Sequence, residues 1–329
     1  MNLSLFAPLL IGSSLVICLF CIFYAKRFSI GLDSDNKPQK SHVKDTPRLG
    51  GLGIFIAFAI GYFFVPGWNL CVFLGLLLVF FGGILEDILG TLKPALRLFI
   101  QMFGLILMLQ FDYGVVRDLS PVIFLPFWAG FLFSIFGIVG VCNALNIIDG
   151  LNGLASGISL LILVAIFVAS KDLEFVRNLS ALGLLATIGF MLLNFPRGLI
   201  FLGDGGAYFL GALIGFLLGI MSNFGISAWF GFSIMIYPIF EVIFSIIRRK
   251  IRGKKAMRPD GLHLHSLLFK LLRNNPLSSS IIVAGDFVYL YLLLSLAKTP
   301  FGYILGAIFF CIFYIICYFA LVFASKRTI

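Results

Sequence analysis

Apolar stretches of about sixteen residues or more recur from Leu3 to Ala324, separated only by short polar breaks. A helix needs about 20 residues to cross roughly 30 Å of hydrocarbon, and inside lipid it satisfies every backbone group by itself. The chain therefore reads as an all-α polytopic integral membrane protein of about 10–11 transmembrane helices. The segments are 3–24, 50–66, 69–85, 95–111, 122–142, 154–170, 178–194, 205–222, 227–247, 281–297 and 302–324. Of 329 residues, 61% are hydrophobic and 12% charged, and the longest polar breaks, 25–49 and 248–276, are too short to bury a core of their own. Residues 1–329 thus form one transmembrane domain, with polar loops at about 25–49, 86–94, 143–153, 194–204 and 248–276. The first stretch has no basic flank before its apolar core and no small-residue cleavage site, so it reads as a retained helix.

Charge placement gives an orientation. With eleven alternating spans, 20 of the 24 lysines and arginines fall on one side, leaving Arg117, Lys171, Arg177 and Lys298 on the other. Positive residues favour the cytoplasm, which sets the N-terminus outside and the C-terminus inside. The net charge of +10 follows from that bias and calls for no nucleic-acid partner. The six cysteines (18, 21, 71, 142, 311 and 317) lie in or beside apolar spans and read as packing residues. Cys18 and Cys21 form a C-x-x-C without the surroundings of a zinc or redox site.

Charged groups at bilayer depth are costly, and an acid there is a functional candidate by default. Asparagines and a carboxylate interrupt the apolar run Asn143-Ala-Leu-Asn146-Ile-Ile-Asp149-Gly-Leu-Asn152-Gly-Leu-Ala155. On the assigned topology four further segments share its face. They are Asp45-Thr-Pro47-Arg48-Leu-Gly50-Gly51, Gly82-Gly83-Ile-Leu-Glu86-Asp87, Asn194-Phe-Pro196-Arg-Gly-Leu-Ile-Phe201-Leu-Gly203-Asp204-Gly-Gly206 and Arg258-Pro-Asp260-Gly-Leu-His263-Leu-His265. Asp87, Asp149 and Asp204, with Glu86 and Asn146, offer the oxygen ligands Mg²⁺ takes when substrate phosphates complete its shell. The basic residues of 248–258 and the two histidines suit a polyanionic substrate and the charge on transferring phosphoryl oxygens. Acids, bases and glycines together point to phosphoryl transfer.

In order and wording these five segments resemble the polyprenyl-phosphate N-acetylhexosamine-1-phosphate transferases, glycosyltransferase family 4, over almost the whole chain. The resemblance implies catalytic roles for Asp87, Glu86, Asp149 and Asp204. Glu86-Asp87 stands where the family has an acidic pair, usually Asp-Asp, that positions or deprotonates the lipid phosphate. Asn143, Asn146 and Asp149 match its N-x-x-N-x-x-D, and Asp204 matches its F-L-G-D. Asn146 and Asp204 are the implied Mg²⁺ contacts, with Mn²⁺ the alternative ion. Asn143, Asn146, Asn152, Asn194, Phe201, Arg258, His263 and His265 are the implied substrate contacts. Asn152 replaces an aspartate common in the muramoyl-pentapeptide branch, Asn194 and Phe201 fall near the uracil, and His263 and His265 suit a pyrophosphate, with Ser266 in place of a last histidine. A zinc site on the H-x-H would need Asp260 as a further ligand.

The implied reaction transfers N-acetylhexosamine 1-phosphate from a UDP-sugar to undecaprenyl phosphate. It yields undecaprenyl-diphospho-sugar and UMP at the cytoplasmic face of a bacterial inner membrane, among membrane lipids, and initiates a cell-surface polysaccharide such as O-antigen. Phospho-N-acetylmuramoyl-pentapeptide transfer is the alternative branch, and a homodimer is the assembly considered. Pro238 is the expected kink beside Glu241. A secondary transporter would explain the buried acids Asp286 and Glu241, but the motifs cluster on one face and no two-fold repeat is seen. An intramembrane aspartyl protease would need a glycine where Phe201 stands, and a P-loop fails for want of Gly-Lys-Ser/Thr after Gly206.

Overall fold

The computed structural model describes residues 3–33, 46–110, 114–253 and 260–327. They form thirteen helices: α1 (Leu3–Phe28), α2 (Gly50–Tyr62), α3 (Leu70–Leu89), α4 (Pro94–Met108), α5 (Phe127–Ile148), α6 (Leu154–Ala169), α7 (Glu174–Asn194), α8 (Gly203–Asn223), α9 (Ala228–Ile234), α10 (Ile236–Ile251), α11 (Leu264–Leu272), α12 (Asn275–Leu296) and α13 (Pro300–Arg327). A two-stranded antiparallel hairpin, β1 (Asp118–Leu119) and β2 (Ile123–Phe124), lies before α5.

Every one of the eleven apolar segments contains helix, but their lengths differ. Seven helices are long and apolar enough to cross a membrane, and α9 with α10, bent by 72°, makes an eighth if counted as one span. The remaining three, α2, α4 and α6, have 13, 15 and 16 residues. At 1.5 Å per residue they run about 20–24 Å, short of a roughly 30 Å core. The segment expected from 122 begins as strand and extended chain, because Pro121 and Pro126 delay the helix to Phe127. The 227–247 segment breaks at Met235: Pro238 has no N–H and its ring opposes the carbonyl four residues back, Ile234, where α9 ends.

α8 is the axle of the bundle. Its most apolar stretch is 89% buried, against 22% for α1 and α13 at the periphery. Gly211, Gly215 and Gly219 recur every fourth residue and admit neighbouring backbone. A Cβ on Gly211 would lie 2.5 Å from Cys142 Cα of α5, and one on Gly219 2.2 Å from the Gly114 carbonyl. Outward the bundle presents Phe136, Trp128, Leu296 and Phe309, a surface suited to lipid rather than water.

The polar motifs sit at helix ends rather than in the loops expected for them. Glu86 and Asp87 occupy the last turn of α3, Asn143 and Asn146 the last turns of α5, and Asp204 the first turn of α8. The expected 248–276 loop also holds the short helix α11.

Candidate active site

The first turn of α8 is wedged between α2 and α3 by contacts only glycine permits. Phe201 N–H donates to the Pro47 carbonyl at 2.7 Å, and Gly50 and Gly51 N–H donate to Phe201 and Leu202 carbonyls at 2.9 Å each. This strip lays the 47–51 segment along the approach to α8. Gly203 has φ +74°, and a Cβ there would meet the Arg48 carbonyl at 2.1 Å and Asp87 Oδ2 at 2.6 Å. Gly51 faces Gly206, and Gly83 faces Gly205, backbone to backbone.

Asp87 reaches across from α3 to cap α8. Its Oδ1 accepts from Asp204 N–H and its Oδ2 from Gly205 N–H, both at 2.9 Å. A carboxylate at a helix N-terminus satisfies unpaired amides and meets the positive end of the helix dipole. One residue back, Glu86 Oε2 accepts from Leu92 N–H at 2.9 Å and Oε1 lies 3.9 Å from Arg97.

Asp204 is the hub. Its Oδ2 pairs with Arg97 Nη1 at 2.6 Å and accepts from the Tyr208 hydroxyl at 3.3 Å. Its Oδ1 accepts from Asn146 Nδ2 at 2.8 Å and lies 3.8 Å from Arg48. Asp149, just past α5, has the Gly203 backbone amide as a donor. Burial pushes its carboxyl up to about 7, against the pull of Arg48 and with the repulsion of Asp204. Burial alone would lower the Arg48 guanidinium, but Asp87, Asp204, Asp33 and Asp149 outweigh it and hold it above its usual value.

The remaining amides are engaged elsewhere. Asn143 Nδ2 donates to Val139 O and to Gln101 Oε1. Asn194 uses both ends of its side chain on backbone, accepting from Gly153 N–H at 2.6 Å and donating to Ile200 O at 2.8 Å. Asn152 donates to Pro196 O at 3.0 Å, and its backbone N–H donates to Asn275 Oδ1. Asn152 and Asn194 thus pin the 149–153 turn to the 195–200 loop, and Phe201 is half-buried where that loop enters α8. Arg258 lies outside the described residues.

His265 connects the last motif to this centre. Gly150 has room for no Cβ because His265 Nε2 would lie 2.6 Å from it. Burial holds His265 down at about 4, so the ring is neutral at neutral pH. His263 and His265 lie parallel with centroids 5.4 Å apart. Asp260, the further zinc ligand considered, is bound by Arg248 at 2.8 Å and by Arg249 at 3.4 Å. Despite its burial these guanidiniums hold it below the usual carboxylate range, and both of its oxygens are engaged by the two arginines. Among the described residues no three His, Cys, Asp or Glu converge as a metal cage.

A family model for glycosyl transferase family 4 matches residues 69–222. The chain is 30% identical over 297 residues to the probable undecaprenyl-phosphate N-acetylglucosaminyl 1-phosphate transferase of Bacillus subtilis (strain 168), covering 84% of this chain and 81% of that one. The chain belongs to glycosyl transferase family 4. It is also 28% identical to the undecaprenyl-phosphate alpha-N-acetylglucosaminyl 1-phosphate transferase of Thermotoga maritima, over 69% of each chain. Identity to the phospho-N-acetylmuramoyl-pentapeptide-transferase of Staphylococcus aureus (strain JH9) is 26%, over 73% of this chain and 83% of that one. The chain is therefore an enzyme, a polyprenyl-phosphate N-acetylhexosamine-1-phosphate transferase of the multi-pass membrane type.

In this family 4 transferase the sequence reading missed Arg97, Tyr208 and Gln101 and gave Arg48 no role. Arg97 was legible only as a lone basic residue opening the apolar run of α4, where a positive flank is common. Tyr208 and Gln101 carried no signal above ordinary core composition.

Proposed function

We propose that the enzyme transfers N-acetylhexosamine 1-phosphate from a UDP-sugar to undecaprenyl phosphate at the cytoplasmic face of a bacterial inner membrane, initiating a cell-surface polysaccharide. The observation that carries this reading is the convergence of Asp204, Asn146, Arg97, Arg48 and Asp87 at the N-terminus of α8. A phosphate oxygen of the lipid attacks the β-phosphorus of the donor, forming one P–O bond as the bridging P–O bond to the nucleotide breaks. UMP leaves with that bridging oxygen, and the sugar phosphate remains on the lipid.

Mg²⁺ would find oxygen donors in the Asp204 carboxylate and, once its amide turns, in Asn146, whose Nδ2 here donates to Asp204 Oδ1 at 2.8 Å, with Mn²⁺ as substitute. When bound there it would supply charge neutralisation between diphosphate and carboxylate. The chain's own residues do the rest. Arg97 and Arg48, both partly buried, are placed to meet phosphoryl oxygens in a medium where such pairs are strong. Asp87 holds the first turn of α8, and so Asp204, in register with them. Asp149 sits within reach of their field as a carboxyl that changes charge near neutral pH. His265 brings the 260–265 segment to the same turn, and on this reading His263 and His265 meet the donor diphosphate.

Asn152, Glu86 and Ser266 each depart from the muramoyl-pentapeptide pattern, and the 30% match is to a relative named for N-acetylglucosamine. These favour a simple UDP-N-acetylhexosamine donor. The test is UMP release by purified protein with undecaprenyl phosphate, Mg²⁺ and a panel of UDP-sugars, with and without EDTA. Release dependent on lipid, metal and one UDP-N-acetylhexosamine is expected. Release only with UDP-N-acetylmuramoyl-pentapeptide would overturn the branch, and release unaffected by EDTA would overturn the metal.

A further inference from the structure

Glu241 has no place in the chemistry above, yet its carboxylate is the most fully enclosed acid among the described residues, with no exposed surface. It stands on α10 just after the 72° bend. Its three contacts are all donors. Oε1 accepts from His263 Nδ1 at 2.9 Å and from Leu264 N–H at 3.3 Å, and Oε2 accepts from the Tyr314 hydroxyl at 2.7 Å. A buried carboxylate persists only where such donors surround it.

Ser245 and Arg248 follow Glu241 at four and seven residues, on the same face of α10. Ser245 Oγ lies 3.2 Å from His263 Nδ1. Arg248 holds both oxygens of Asp260 at 2.8 and 3.0 Å and donates to the Leu262 carbonyl and, at 3.0 Å, to the Tyr318 hydroxyl. One helix face therefore seats the whole 260–264 segment, and Glu241 also caps the first turn of α11.

We propose that Glu241 is a positioning residue for the transfer. It fixes the His263 proton on Nδ1, which leaves Nε2 as the ring nitrogen presented to substrate, and it seats the 260–265 segment against the Asp149 turn. The inference rests on the reading that His263 faces the donor diphosphate. A carboxylate beside one imidazole nitrogen decides which tautomer is present, and the other nitrogen then has a defined role. In the structure Nε2 makes no hydrogen bond to a described residue, its nearest acid being Asp260 Oδ1 at 3.9 Å. Glu241 itself touches neither Asp204 nor its partners, so its effect travels through His263.

The chain has only three histidines, at 42, 263 and 265, so ¹⁵N-histidine labelling of the full-length protein in detergent gives three assignable rings. In wild type, His263 should report a protonated Nδ1. Glu241→Leu, which removes the acceptor at similar volume, should move those signals to a tautomer mixture and lower kcat roughly 10- to 100-fold, with KM for undecaprenyl phosphate little changed. Glu241→Gln keeps an acceptor and should recover most of the loss. Glu241→Asp keeps the charge but withdraws it by one methylene; it should show the same shifts in weaker form, and it carries the test if the leucine variant does not fold. Because Glu241 acts through His263, Glu241→Leu/His263→Gln should turn over no more slowly than His263→Gln alone. Unchanged His263 signals in a folded Glu241→Leu, or losses that multiply in the double variant, would overturn the role of Glu241 while leaving the proposed function standing. Wild-type turnover in His263→Gln would overturn the role of Glu241 and the reading that His263 faces the donor diphosphate, while leaving the transfer itself standing.

Discussion

Gly51→Ala tests whether the contact between α2 and α8 sets the site. The added Cβ would lie 2.3 Å from Gly206 N and 2.6 Å from Gly206 Cα. Ordinary contact begins at 3.4 Å, so the two backbones must part by about 1 Å. Neither atom belongs to a side chain that can turn aside. Overpacking of this kind costs about 1–3 kcal/mol. The functional cost is larger, because Gly206 lies two residues after Asp204, and a displacement of about 1 Å at a reacting centre reduces rate by roughly 100-fold. Gly137→Ala and Gly140→Ala on α5 are the controls. Neither has an atom within 4 Å of its would-be Cβ, and loss of helix-interior glycine should stabilise by about 0.5–1 kcal/mol. Thermal unfolding in detergent and UMP release, measured side by side, check both. Wild-type turnover and melting temperature in Gly51→Ala would refute the argument that backbone contact positions Asp204.

Asp204→Asn keeps the volume but removes the charge that holds Arg97, and should abolish UMP release while circular dichroism stays near wild type. Asp286→Leu should raise the melting temperature, by a margin worth about 1–3 kcal/mol, because both carboxyl oxygens of that buried side chain lack a partner among the described residues; a lower melting temperature would show that the carboxyl is used. Asp149 has a folded value of about 7, above that of an unfolded aspartate. Its stabilising effect is full below about pH 4 and lost as pH rises toward 7, so Asp149→Asn should flatten the decline of stability over that range in melting scans. His265, held at about 4 by burial, works with the opposite sign: stability it supplies above about pH 6.5 is lost as pH falls toward 4, and its ¹⁵N signals should not titrate between about pH 5.5 and 8.

Hydropathy was enough to place helix in all eleven apolar segments, because lipid-facing surface must be apolar whatever the topology. It could not tell a 13-residue helix such as α2 from a full span, since flanking apolar loop residues such as Val65 read the same way. The bend was legible at Pro238, although the break falls at Met235, where the proline's missing bond and steric conflict act. The acids were legible as charges in apolar runs. Their partners were not: Arg97 meets Asp204 across 107 residues of sequence, and no local pattern encodes that. Family resemblance assigned Asn194 to the uracil, but it could not foresee that both ends of that amide are consumed by backbone at Gly153 and Ile200. Nor could a pair of histidines reveal the carboxylate that seats one of them from 22 residues upstream.

Charge balance at the centre limits how the proposed reaction can begin. Glu86, Asp87, Asp149 and Asp204 face two guanidiniums, Arg48 and Arg97, and the closest pair, Asp204 with Arg97 at 2.6 Å, is already made. A substrate phosphate that takes Arg97 strips Asp204 of its counter-charge in a partly buried setting, where breaking a pair is costly. A cation that takes Asp204 releases Arg97 and removes that cost. On the proposed reading the two events therefore favour each other, and by linkage each must raise the affinity for the other by the same factor. Asp87 cannot share in the exchange without giving up both amides at the head of α8. That is why the exchange falls on Asp204, and why Asp204→Asn should weaken the coupling between cation and UDP-sugar more than it weakens either partner bound alone.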